Sequence, residues 1–251
     1  MSSWAGRRKL IYGGTTAVIV LAASGLIVFK SFYKAPSCSD GIKNGGEAGT
    51  DCGGSCERLC QNYFLSPNVA WTSYEQVGPG LYNLAAYIIN PNVSGEVAQV
   101  PFNMVVYDQQ GLPIIFAPGN LHIPPGRNTL AFVGPVSLGK RIPYKVLFEF
   151  TAAPNWVKSH DTLASLIVGD KNYTEDEGGS SLLVSLRDAG VAPIGGMTVY
   201  TVLSDKDSNV IGFSKTKVDG IAGQGTADAP FTWPYNRQGR VVSIEVLPVA
   251  E

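Results

Sequence analysis

The chain has 251 residues, with 19 basic and 20 acidic side chains and a formal net charge of −1. That balance excludes a nucleic-acid binder, which needs a basic face. Its 29 glycines and 16 prolines, set among many short apolar runs, argue against a mainly helical chain and predict an all-β fold.

Twenty uncharged residues lie between Lys9 and Lys30, most densely apolar at 17–21 and 26–29. At 1.5 Å rise per residue they reach across ~30 Å, the thickness of a bilayer core. A transmembrane helix is therefore predicted over 10–30, with 1–9 as a tail. Arg7, Arg8 and Lys9 place that tail in the cytoplasm, and Tyr12 and Tyr33 stand where interfacial aromatics are favoured. The rival is a cleaved signal peptide using the small residues of VLAASG. The apolar run continues past them, which favours a retained anchor. Either reading exports the rest of the chain, which then carries 16 basic and 20 acidic residues.

Residues 31–63 form a Cys-rich segment holding all four cysteines, Cys38, Cys52, Cys56 and Cys60. Outside the cytoplasm, closely spaced cysteines oxidise, and four allow three pairings. The segment's apolar content is essentially Ile42 and Leu59, too little for a core, so it needs disulfides or a bound ion. Four thiolates on zinc is one alternative, better suited to a cytosolic protein. Oxygen ligands are another: Asp40, Asn44, Glu47 and Asp51 recur among glycines, as calcium coordination requires, although the EF-hand order is missing. The plain alternative is a solvated, disulfide-stapled loop.

From residue 64 short runs rich in Val, Ile, Tyr and Phe alternate with Gly, Pro and Asn turns. The order recurs: Asp108 matches Asp205 at a spacing of 97, Phe132 matches Phe231 at 99 and Glu149 matches Glu245 at 96. Two copies of one unit are predicted, at 64–151 and 162–251, joined by a linker at 152–161. The size suits two tandem immunoglobulin-like β-sandwiches of about seven strands each. Both faces of 102–107 are apolar, which predicts a central strand.

The strand ending Tyr107-Asp108-Gln109-Gln110-Gly111, with an NPN turn at 90–92 and a PPG turn at 124–126, resembles the FxLYD-type bacterial sandwich domains. These are similar in style to the late-embryogenesis-abundant sandwiches. The resemblance covers 64–150. It is weaker in the second copy, where Ser204 replaces Tyr107 and Asp188-Ala189-Gly190 replaces NPN. The spacing C-x-D-G-x-x-N-x-x-E-x-G-x-D-C-G-G-x-C over Cys38 to Cys56 resembles a segment of single-pass bacterial surface proteins; three residues rather than two precede Cys60. The resemblance implies extracytoplasmic modules without catalysis.

Little else carries chemistry. His122 and His160 have no nucleophile set beside them in sequence and read as ordinary surface histidines. DKDSN at 205–209 lacks the glycine and glutamate of a calcium loop and reads as a hairpin turn; TEDEGG at 174–179 reads as a solvated loop. Asn92 and Asn172 fit the N-glycosylation pattern, which is idle in a bacterium. Trp71, Trp156 and Trp233 offer a sugar-binding platform or, alternatively, core filling. The expectation is a membrane-anchored, non-catalytic display protein that meets an envelope protein or surface polymer. The alternatives are an envelope enzyme with a site between the sandwiches and a structural spacer.

Overall fold

The computed structural model describes residues 4–32, 35–159 and 161–251. The chain divides into two compact units, Met1–Cys56 and Glu57–Glu251. Tyr33 and His160 lie outside the described residues.

In the first unit a helix, α1, runs Trp4–Phe32. Its segment Gly6–Ser31 is 26 residues of apolar composition, long enough to cross a bilayer. The helix begins before the predicted residue 10, and Arg8 lies 3.8 Å over the Trp4 ring. The hydroxyls of Thr15, Thr16 and Ser24 donate to the carbonyls of Ile11, Tyr12 and Val20 one turn back. Those bonds hide the polar groups within the helix, as a hydrocarbon medium demands.

The second unit is almost wholly β. Its first six-strand set comprises β1 (Asn68–Gly78), β2 (Leu81–Ile89), β3 (Gly95–Tyr107), β4 (Pro113–Ile123), β5 (Thr129–Ser137) and β6 (Lys145–Phe150). A two-residue strand, β7 (Val157–Lys158), follows. The second set is β8 (Leu166–Asp176), β9 (Gly179–Asp188), β10 (Met197–Ser204), β11 (Val210–Val218), β12 (Thr226–Trp233) and β13 (Ser243–Ala250). Strand order is β1-β2-β5 and β4-β3-β6 in the first set, β8-β9-β12 and β11-β10-β13 in the second. The two sets therefore share one connectivity, with six main strands each rather than seven. Every ladder is antiparallel.

Alternation along the strands explains the cores. Leu84, Ala86 and Ile88 of β2 face Phe102, Met104 and Val106 of β3 across the first sandwich. Leu182, Val184 and Leu186 of β9 face Met197, Val199 and Leu203 of β10 across the second. Several intervening side chains of β2 and β10 are apolar too. Ala85 and Tyr87 meet Val202 in a third cluster with Leu130, Phe213 and Leu247. The sheet β1-β2-β5 is thus packed on both faces, and so is β11-β10-β13.

The hairpin β3–β4 and the hairpin β10–β11 turn identically. In each, the leading aspartate carboxylate accepts two backbone amides, from Gln110 and Leu112 onto Asp108 and from Asp207 and Asn209 onto Asp205. DKDSN is a hairpin turn, as expected. Two other equivalences shift. Phe132 stands opposite Ala85 and turns to the third cluster, whereas Phe231 stands opposite Leu182 and lies in the second core. Glu149 pairs with Asn103, but Glu245 pairs with Val202, one face position earlier.

The stretch read as a linker is partly built in. Trp156 is buried in the first core and stacks on Phe64 at 5.1 Å. β7 pairs with Gly95 and Glu96 of β3, and Lys158 donates its amide to Glu57. The acidic run at 174–179 is also more ordered than a loop: strand β8 extends to Asp176 before the tight turn into β9.

Phe213 is 1% exposed and sits against Trp71 and Phe132 with ring centroids 6.5 and 6.0 Å away. Phe213→Ala is expected to cost about 3–5 kcal/mol. Urea unfolding followed by tryptophan fluorescence measures this, and a loss below about 1 kcal/mol would contradict the packing.

Candidate functional site

Two places in the molecule concentrate polar chemistry, and the first is the cysteine segment. None of the four cysteines is free. Cys38 is bonded to Cys56, and Cys52 and Cys60 are likewise disulfide-bonded. Thiolate ligation of zinc by four cysteines is therefore overturned for this oxidised form.

Three of the four predicted oxygen ligands, the carboxylates of Asp40, Glu47 and Asp51, accept hydrogen bonds from the loop itself. Asp40 accepts the Ile42 amide at 2.9 Å and the Asn44 side-chain amide at 3.0 Å. Asp51 accepts the Gly41 amide on both carboxylate oxygens, at 3.1 and 2.9 Å. Glu47 is buried and accepts the Asp51 amide at 3.1 Å and the Asn44 amide at 3.3 Å. Carboxylates that collect backbone amides organise a turn-rich segment lacking an apolar core. Among the described residues, Asp40, Glu47 and Asp51 do not gather into one ligand group. The group that does gather, with ligand atoms within 4.8 Å, is Cys38, Glu47 and Cys56. Its two sulfurs are joined to each other, so they hold no thiolate charge for a cation. The Oδ1 atom of Asn44 is buried without a donor.

The second place is the joint between the two sandwiches. A cleft of about 240 Å³ is lined by Ser73, Tyr74, Glu75, Phe213, Tyr235 and Arg237 among others. Glu75 on β1 and Arg237 in the β12–β13 connection form a buried ion pair. Glu75 also accepts the Phe213 amide at 3.1 Å, and the Trp233 indole donates to the Phe213 carbonyl at 3.2 Å. Burial, with Arg240 nearby, lowers the affinity of Arg237 for its proton. Farther along the joint the Tyr87 hydroxyl donates to Glu245 at 2.6 Å and accepts from Asn128 at 2.9 Å. Burial first and Glu245 second push the Tyr87 hydroxyl up to about 12. The Lys215 ammonium lies 4.8 Å from the Phe132 ring centre. These contacts lock two sheets together. The cleft's lining holds one carboxylate, already paired, and no histidine.

The remaining sequence candidates resolve differently. Trp156 and Trp233 are each 3% exposed in separate cores, and Trp71 packs in the joint. No common sugar platform exists among them. His122 is half-buried rather than on the open surface, with Nδ1 3.1 Å from the Ala250 carbonyl, so Nδ1 carries the proton. Asn92 is buried, and its amide nitrogen donates to the Leu65 carbonyl at 2.8 Å, so the folded chain does not offer it to a glycosyl carrier.

No protein-family model matches the chain. No curated protein matches it either. Solved structures with distant likeness include a β-glucuronidase from glycoside hydrolase family 2, at 10% identity over 70% of this chain and 24% of that one, TM-score 0.22. Red sea bream transglutaminase is similar at 12% identity over 72% and 31%, TM-score 0.21. A putative β-galactosidase from Bacteroides fragilis is similar at 12% identity over 69% and 33%, TM-score 0.20. The chain spans a third or less of these three proteins' lengths.

Two outcomes test the joint. Glu75→Ala leaves Arg237 charged and buried, and is expected to cost about 3–5 kcal/mol in chemical denaturation. The double variant Glu75→Leu with Arg237→Met is expected to recover most of that loss. The raised Tyr87 pKa makes a stabilising contribution that is complete below the ordinary tyrosine value of 10.0 and is lost as pH rises toward about 12. Tyr87→Phe should flatten that part of an alkaline stability profile.

Proposed function

We propose that this chain is a single-pass surface protein whose fused double sandwich presents a binding face outside the membrane and performs no catalysis of its own. One observation carries the reading. An apolar helix of bilayer length ends at Phe32, and the first of four oxidised cysteines follows at Cys38. The helix and the disulfides fit a membrane-anchored extracellular β-domain protein. Arg7, Arg8 and Lys9 precede the apolar run, so the N-terminal tail stays inside by the positive-inside tendency.

The cysteine segment then acts as a stapled collar, with Asp40, Glu47 and Asp51 as amide acceptors that set its turns. The sandwich body is the working part, and its partner is an envelope protein or a surface polymer. The likeness of 64–150 to FxLYD-type modules supports that role. A catalytic reading would centre on the joint cleft, whose single carboxylate is bonded to Arg237.

The test is made on cells expressing the full chain. Retention in the membrane pellet after alkaline carbonate extraction is expected, with no titratable thiol before reduction and four after. A soluble chain with reduced thiols would overturn the reading. Melting of the detergent-solubilised protein is expected to be the same in calcium and in chelator. A higher melting point in calcium would make the collar a cation site as well as a staple.

A further inference from the structure

The joint inside the molecule shows what kind of surface these sheets use for docking. On β10, Val202 stands opposite Phe213 of β11 and opposite Glu245 of β13. On β3, Val105 stands opposite Phe116 of β4 and opposite Leu147 of β6. The two rows occupy the same place in the shared strand order. Phe116 is thus the counterpart of Phe213. Phe213 is 1% exposed because the first sandwich covers it, whereas Phe116 is 63% exposed and Leu147 is 43% exposed. The outer face of β4-β3-β6 keeps the apolar knob of a docking sheet, and among the described residues of the second unit no strand packs upon it.

The matching face at the far side of the second set does not serve as its receptor. There the counterparts of Tyr87 and Leu130 are Ser185 and Asp228, paired across β9 and β12 as Tyr87 and Leu130 are across β2 and β5. A serine and an aspartate thus stand where an apolar receptor row needs tyrosine and leucine, although Leu183 and Ile167 on the same face are 42% and 43% exposed. Head-to-tail stacking of successive chains is disfavoured accordingly.

The outer face of β4-β3-β6 is instead complementary to itself. Along β6 the outward side chains are Lys145, Leu147 and Glu149, all exposed. The apolar row Phe116–Val105–Leu147 lies at the centre, with a positive end and a negative end. A two-fold axis lying between two such faces, perpendicular to the strands, sets row against row. It also sets Lys145 of each copy over Glu149 of the other, twice by symmetry. A hollow of about 350 Å³ beside Tyr107, Tyr144 and Leu147 and one of about 560 Å³ beside Asn103, Phe116 and Pro118 leave room for the facing side chains.

We propose that the face of β4-β3-β6 binds a second copy of this chain, giving an isologous dimer centred on Phe116 and Leu147. The proposal rests on the display reading and names its partner.

The experiment is sedimentation velocity on the full chain in detergent micelles across a concentration series. A monomer–dimer equilibrium that stops at two is expected. Phe116→Asp with Leu147→Asp should weaken it by ~30-fold or more. Because Phe116 is 63% and Leu147 43% exposed and neither belongs to the first core, a melting point little changed should accompany that loss. Lys145→Glu and Glu149→Lys should each weaken the dimer by about 2- to 5-fold, and the double swap should restore it. Assemblies growing beyond two copies would overturn the proposal in favour of head-to-tail stacking. A dimer indifferent to all four substitutions would place the contact elsewhere, the helix included, and overturn it too. A monomer at every concentration that still pellets with membranes would remove the dimer and leave the anchored display reading standing.

Discussion

Two strands, β2 and β10, bury side chains on the faces by which the two sandwiches meet as well as in their own cores, and the architecture follows from that constraint. A strand apolar on one face needs one partner layer; a strand apolar on both needs two. Each central strand therefore has its own sandwich behind it and the other sandwich in front of it. The aromatic cluster of Trp71, Tyr87, Phe132 and Phe213 fills the shared layer. Glu75 with Arg237 at one place and Tyr87 with Glu245 at another fix how the two sheets lie on each other. Apolar contact supplies the attraction, and these polar pairs supply the register, because each is left unsatisfied by sliding.

This arrangement separates two roles that a sequence reader tends to merge. Aromatic residues on a β-sandwich suggest ligand platforms, but most of the large rings here hold layers together. The collar makes a parallel point with charge. Acids among glycines suggest a cation cage, yet Asp40, Glu47 and Asp51 collect backbone amides. In a segment with almost no apolar residues, carboxylate–amide bonds and disulfides do what a core does elsewhere.

Much of the architecture was legible in the sequence, for physical reasons. The helix announces itself by an uncharged run, and oxidation of the cysteines follows from position relative to that run. The central character of 102–107 follows from period-two alternation with both faces apolar. The doubled unit was visible because Asp108 and Asp205 nucleate the same hairpin. Letters misled where face mattered more than identity. Phe132 and Phe231 share a residue type but point to opposite sides of their sheets. Trp156 sits in a stretch where alternation stops, which reads as a linker, although one large side chain is enough to dock the backbone. The Glu75–Arg237 pair was beyond local pattern altogether, since its partners are 162 residues apart. A charged residue at a strand position of β1 was its one faint signal.

The position of β13 has a consequence for how the chain is made. This strand, Ser243–Ala250, supplies both Glu245 and Leu247 to the joint and completes the sheet that carries Phe213. During synthesis the first sandwich emerges early, with Trp71, Tyr87 and Phe132 lying on a face that has no cover. That face stays bare until β10, β11 and β13 have all been delivered, so the early sandwich is exposed to sticky off-pathway encounters for the whole interval. The quality of the first sandwich's surface is thus held hostage by strands made more than a hundred residues after β2, the eight-residue β13 among them.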